Sequence, residues 1–217
     1  SETKIIKNIG QISNTSLPGY EFISQPTLSQ AGGVGLYIRN NTEFHIREDL
    51  SCMMQEFESL WIEIHCNPAK NIICGVLYRH PNRKLETFNN YLFSAVNKIS
   101  KENKYCAFMG DFNINLLNVE NCSFSEDFVN TLGSYYFLPQ ILQPTRITDH
   151  TATLIDNIFL SSTEHYPISG NIVHDITDHL PNFLIINKLA SAPKNLKFYK
   201  RDYSKLNEHD LLQMITT

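Results

Sequence analysis

The chain lacks any paired cysteine pattern. Its 217 residues hold five cysteines, an odd number with no CxxC pair, so neither a disulfide framework nor a zinc site has a ligand pattern to rest on. Cys74 and Cys106 lie inside apolar runs, where a thiol acts as a small hydrophobe, and this favours a reducing compartment. Long apolar runs are missing as well. The longest, at 72–77, falls far short of the roughly 20 residues that cross a bilayer. The polar N-terminus has no signal-peptide core. Neither secretion nor membrane insertion is indicated, and an intracellular protein is expected. Internal repeats and low-complexity tracts are also absent. A basic excess is lacking too: 18 Lys+Arg against 22 Asp+Glu give a net charge of −4, which argues weakly against the usual nucleic-acid footprint. Net charge is a sum, however. Four acids discussed below, Glu2, Asp111, Asp156 and Asp178, would account for the whole excess if a metal-binding cleft gathered them.

What remains is an ordinary globular composition, 42% hydrophobic and 18% charged, long enough for one domain with a large core. Ala31-Gly32-Gly33-Val34-Gly35 reads as a turn feeding a strand; it lacks the Lys-Ser/Thr ending of a P-loop and the spacing of a dinucleotide loop. Residues 59–65 alternate as a half-buried strand, and the more continuous run at 71–78 predicts a central one. From 85 to 99, apolar residues recur at helical spacing. A strand follows at 105–109. Ser123 with Glu126 forms a possible capping box for a helix with Phe124, Phe128 and Leu132 on one face. Further strands are expected at 153–160, 170–176 and 182–187. From 190 the chain turns polar and basic, so 1–189 reads as the domain and 190–217 as a linker. Many strands with few helices suggest two packed sheets with helices outside.

Gly110-Asp111-Phe112-Asn113 follows directly on an apolar strand. Glycine lets the backbone turn there, and Asp111 and Asn113 would present an acid and an amide from the strand's end, where sites are usually built. The same residues also fit an ordinary Asx turn. Residues 153–160 are more informative. Strand parity puts Asp156 on the face of Leu154, Ile158 and Leu160, and a carboxylate on an apolar face is costly to bury without a partner. Backbone amides fit that role, as does a titratable side chain that the acid orients. Thr177-Asp178-His179-Leu180-Pro181, between two strands, offers one: a histidine pinned by a buried aspartate keeps a single tautomer. A lone Asp-His pair is common on surface turns, but three such elements at successive strand ends point to a site. Tyr78 fits either a core aromatic or a donor to a phosphate oxygen. Glu2 alone reads as a solvated terminal acid.

Taken together, these residues resemble the endonuclease/exonuclease/phosphatase superfamily, and within it the endonuclease domains of non-LTR, jockey-like retrotransposons. The stretches that carry the likeness are SETK at 1–4, PGY at 18–20, GGVGLYIRN at 32–40, ESLWIEI at 58–64, CGVLYRHP at 74–81, MGDFNINL at 109–116, QPTRIT at 143–148, TLIDNIFLS at 153–161 and ITDHLP at 176–181. The resemblance implies an α+β, four-layer α/β/β/α sandwich of two packed mixed sheets with outer helices. It also implies that the first strand of that fold, with its metal-binding asparagine, is absent from a chain that starts at Ser1. Carried over, Glu2 is a metal-binding glutamate and Asp178 the acid near the metal. Tyr78 contacts the scissile phosphate, Asp111 handles the attacking water, and Asn113 lies beside it on the phosphate. Asp156 holds the catalytic histidine, His179. The implied activity is Mg²⁺-dependent nicking of DNA, with Mn²⁺ as a substitute, leaving a 3′-hydroxyl for a reverse transcriptase in the same polypeptide, in the nucleus. Alternatives are a phosphomonoesterase or inositol-phosphate phosphatase of the same fold, or a non-catalytic binding remnant.

Overall fold

The apolar run at 72–77 becomes the middle of the molecule because both of its faces are covered. The computed structural model describes residues 3, 15–29, 31–161, 167–174 and 176–186. A first hairpin pairs β1 (Tyr20–Gln25) with β2 (Val34–Arg39). Then come β3 (Phe44–Ile46), β4 (Cys52–Met53), β5 (Phe57–Ile64) and β6 (Ile72–Arg79). Helix α1 (Leu85–Ser100) crosses to β7 (Tyr105–Asp111), and a 3-10 segment precedes α2 (Ser123–Ser134). The strands that follow are β8 (Leu138–Pro139), β9 (Arg146–Ile147), β10 (Ala152–Thr153) and β11 (Asp156–Leu160). A last hairpin joins β12 (Ile168–Asn171) to β13 (Asn182–Ile185).

The main sheet is mixed, in the order β3-β5-β6-β7-β11-β8, with β4 also on β5. Only β6 and β7 run parallel, as their helical crossover requires. Both helices pack on one face. Phe57, Trp61, Leu77, Phe108 and Phe159 from the sheet meet Phe88, Leu92, Phe128 and Leu132 from the helices, and all are buried. Each side chain of this size stabilises by about 1.5–3 kcal/mol on burial. The opposite face carries the two hairpins: Val34 packs on Leu60 and Val76, and Leu184 packs beside Ile141 and Ile158. The expected mixed α/β architecture with a multi-strand mixed sheet is therefore present. Among the described residues its layers are helices, sheet and hairpins.

Local expectations fared unevenly. The helix at 85–99 and the strands at 71–78 and 105–109 correspond to α1, β6 and β7. The strand at 59–65 is not half-buried: Ser59, Trp61 and Glu63 are as buried as Leu60 and Ile62, because α1 covers one face and the first hairpin the other. Ser123 does not cap α2. Cys122 holds the cap position, and no side-chain hydrogen bond is made there. The strand expected at 170–176 ends at Asn171, and the one expected at 182–187 is β13, whose ladder runs from Asn182 to Ile185. Residues 187–217, including the expected linker, lie outside the described residues. No described helix is long and apolar enough to cross a membrane.

Candidate active site

Register decides which polar residues meet. Glu58 on β5 opposes Tyr78 on β6, Tyr78 opposes Asp111 on β7, and Asp111 opposes Asp156 on β11. Directly opposed residues share a face, so these four form one row across the sheet on its hairpin side. All lie at the same end of their strands or close to it.

Gly110 makes the end of β7 possible. Its φ is +153°, and a Cβ there would lie 1.8 Å from the Leu77 carbonyl oxygen, so only glycine fits. Beyond it, the Asn113 N–H donates to Asp111 Oδ1 at 2.9 Å and Asn113 sits at φ 48°. The Asx turn and the site are thus the same structure. Arg79 ties the turn down: its buried guanidinium donates to the carbonyls of Phe112 at 2.6 Å and Asn113 at 2.7 Å. In return, Asn113 Nδ2 donates to the Arg79 carbonyl at 2.8 Å.

Asp156 finds a titratable partner and a hydroxyl. His179 Nδ1 lies 3.0 Å from Asp156 Oδ2, and the Thr145 hydroxyl donates to the same oxygen at 2.8 Å. Thr145 Oγ1 also accepts from the N–H groups of Ile155 at 3.2 Å and Asp156 at 3.0 Å. Its one donor and two acceptor positions are all used. Burial and the nearby charge of Asp156 push the Asp111 carboxyl up to about 6, although the Asn113 amide pulls it down. Ligand atoms of Asp111, Asp156 and His179 all lie within 4.8 Å of one another. Asp156 and His179 line an open groove of about 440 Å³ that also includes Met109, Ile158 and Thr177.

The remaining expected residues are placed differently. Asp178 pairs with Arg146: its Oδ2 accepts from Arg146 Nε at 2.7 Å, and that pairing lowers its carboxyl below the usual range. Tyr78 is buried, stands beside Asp111 in the row, and packs edge-on against His80 with ring centroids 5.0 Å apart. Glu2 lies outside the described residues, though the next residue, Thr3, donates its N–H to Gly33 O at 3.0 Å.

Three contributors were not anticipated. Thr145 lies within the QPTRIT stretch, but a lone threonine carries no chemical signature. Arg79 follows Tyr78 at the end of the strand, and an arginine there does not by itself announce a role. The third is a second carboxylate–histidine pair in the same row: fully buried Glu58 meets His80 Nε2 at 2.9 Å and accepts from Thr27 Oγ1 at 2.6 Å and Gly33 N at 3.3 Å. Alternation puts Glu58 on the face of Leu60 and Ile62, but nothing within that segment names His80 as its partner.

The fold is similar to that of solved endonuclease/exonuclease/phosphatase proteins. The endonuclease domain of TRAS1, a telomere-specific non-LTR retrotransposon, is similar at 14% identity and a TM-score of 0.63, over 78% of this chain and 81% of that one. A 3′–5′ exonuclease from Neisseria meningitidis is similar at 14% identity and a TM-score of 0.61, over 86% and 87%. A Neisseria 3′ phosphatase bound to a product DNA hairpin is similar at 13% identity and a TM-score of 0.58, also over 86% and 87%. What is shared at such identities is the fold. No family model and no curated protein matches the sequence.

Proposed function

We propose that the chain is a metal-dependent endonuclease that hydrolyses a DNA phosphodiester bond. One observation carries this reading: Asp111, Asp156 and His179, from three separate segments, converge within 4.8 Å beside an open groove. Asp111, ionised above about pH 6, orients or deprotonates the attacking water. With Nδ1 committed to Asp156, His179 keeps Nε2 for a phosphoryl oxygen. Asn113, held against Arg79, flanks the same phosphate, and Tyr78 is the hydroxyl donor one strand away.

The residues fit a hard divalent cation. Asp111 is a buried carboxylate whose ionisation is opposed by a neighbouring acid, and a bound cation relieves that opposition. Asp111 and Asp156 would hold Mg²⁺, or Mn²⁺ in its place, with Glu2 and Asp178 as the further acids that the resemblance implies. When bound, the ion supplies a Lewis acid for charge on the departing oxygen. The retrotransposon-like stretches and the likeness to the TRAS1 domain support nicking that leaves a 3′-hydroxyl for a reverse transcriptase in the same polypeptide, in the nucleus. A second reading, removal of a terminal phosphate from DNA, draws on the likeness to the Neisseria 3′ phosphatase.

Conversion of supercoiled plasmid to open circles tests the first reading. Nicking is expected in Mg²⁺ and not in EDTA, with Asp111→Asn and His179→Ala each slowing it by about 10²-fold or more. Equal nicking in EDTA, or by either variant, would overturn it. Inorganic phosphate released from a 3′-phosphorylated oligonucleotide without nicking would favour the second reading.

A further inference from the structure

Arg146 is the charged residue of the QPTRIT stretch, and the site described above leaves its side chain unused. It follows Thr145, which fixes Asp156, and its backbone is bridged to that of His179. Two hydrogen bonds lock the same register: Leu180 N to Thr145 O at 2.7 Å, and Ile147 N to Asp178 O at 2.9 Å. The Arg146 side chain is therefore placed by the same short ladder that places the histidine. Its Nε donates to Asp178 Oδ2 at 2.7 Å. Among the described residues, neither of its two terminal nitrogens has a hydrogen-bond partner. Both side chains are nearly half exposed, at 45% and 44%, and the charges of Asp111 and Asp156 reach the guanidinium.

Stability does not explain this placement. An exposed ion pair contributes about 0–1 kcal/mol. Two other arginines show what a structural guanidinium looks like here. Arg79 is buried and donates to backbone carbonyls, and Arg47 is buried among Asp49, Glu63 and Glu102. Arg146 instead has one acid on Nε, a side chain nearly half exposed, and the site acids Asp111 and Asp156 within electrostatic reach. A guanidinium held at Nε keeps its planar pair of terminal N–H donors aligned, the geometry that grips a phosphate at two oxygens.

We infer that Arg146 binds a backbone phosphate of the nucleic-acid substrate, and that Asp178 acts as its positioning residue. The inference rests on the phosphodiesterase reading for its substrate class. It gives Asp178 a role in this structure distinct from the metal-proximal one that the resemblance implies.

The test is equilibrium binding of a fluorescein-labelled DNA duplex to the whole chain in EDTA, where no metal-dependent cutting confuses the signal, at a series of salt concentrations. Arg146→Gln is expected to weaken binding about tenfold at low salt and to lower the slope of log K against log salt by about one. Arg146→Lys keeps the charge and most of the slope, but loses affinity because it cannot bridge two oxygens. Lys70→Gln, at the opposite end of β6 from the site, should leave affinity and slope unchanged. Asp178→Asn separates the roles. If the pair were only a structural tie, breaking it from either side would have the same effect. A phosphate-binding arginine instead requires that Asp178→Asn preserve the slope while Arg146→Gln reduces it. Unchanged binding by Arg146→Gln, in a variant whose melting temperature matches the parent, overturns the inference even if the parent nicks plasmid. Arg146-dependent binding by a parent that cuts nothing upholds the inference and removes the catalytic reading instead.

Discussion

At the scale of single residues, Thr145 is the hinge between fold and site. Its hydroxyl spends every hydrogen-bonding position on Asp156 and on two backbone amides, in a side chain with no exposure. Thr145→Val keeps the shape and removes all three bonds, leaving buried polar groups without partners at a cost of about 2–4 kcal/mol. The melting temperature should fall by on the order of 10 °C. Nicking should fall further than stability alone accounts for, because Asp156 would then be fixed only through His179. Thr145→Ser should restore both. A valine variant that melts with the parent would show that the amides find other partners and that the hydroxyl is dispensable.

At the scale of elements, the end of β7 shows how a strand is converted into a catalytic turn. Gly110→Ala would drive a methyl group into the Leu77 carbonyl at 1.8 Å, on a backbone at φ +153°. Both strain and clash act on the β6–β7 ladder that aligns Tyr78 with Asp111, and a loss above about 3 kcal/mol is expected. Gly133→Ala in α2, where nothing lies within 4 Å of the new Cβ, should instead stabilise by up to about 1 kcal/mol. Urea unfolding of both variants checks the contrast; similar effects would mean that Gly110 is not under the constraint described. The sequence showed this part of the site well, because a glycine, an acid and an amide following an apolar run leave a local trace. Parity likewise put Asp156 on its apolar face, and the His179 partnership followed from a motif at another strand end. Other features depended on what packs above a strand. The covering of β5 on both faces, the Glu58–His80 pair and the pairing of Asp178 with Arg146 are all set by long-range register, which alternation within one segment cannot report. The capping box failed for a related reason: a serine and a glutamate at the right spacing do not fix which residue starts the helix, and Cys122 holds that position.

At the scale of the whole molecule, charge is arranged by pole. At one end of the sheet, Asp49, Glu63 and Glu102 are matched by Arg47, Lys98 and Lys104. At the other, Arg146 pairs with Asp178 and feels the charges of Asp111 and Asp156, and buried Arg79 lies near Asp111. Glu63 and Asp111, one at each pole, respond to pH in opposite directions. Burial would raise the Glu63 carboxyl, but bonds from Lys104 and Asn71 outweigh it and hold it at about 2; Arg47 holds Glu102 low as well. Groups depressed in this way stabilise the fold above the ordinary carboxylate range, and that contribution is lost as pH falls from 4.5 toward 2. Asp111 is raised from 3.8 to about 6, so the folded chain takes up its proton more readily than the unfolded one. Its contribution is fullest below 3.8 and is lost as pH rises through about 6. The combined contribution of Glu63, Glu102 and Asp111 to the metal-free fold is greatest near about pH 4–5. Asp111→Asn keeps the acceptor for the Asn113 amide and removes the charge. In EDTA at pH 8 it should be more stable than the parent by about 2–3 kcal/mol, with the gain vanishing below pH 4 and with nicking abolished. Mg²⁺ should narrow the same gap from the other side, because a cation on ionised Asp111 stabilises the parent and not the variant. Urea midpoints from pH 3 to 8, with and without Mg²⁺, measure both effects. An asparagine variant no more stable than its parent at pH 8 would mean that Asp111 is not strained by its neighbours, and the site would lose its physical reason to attract a metal.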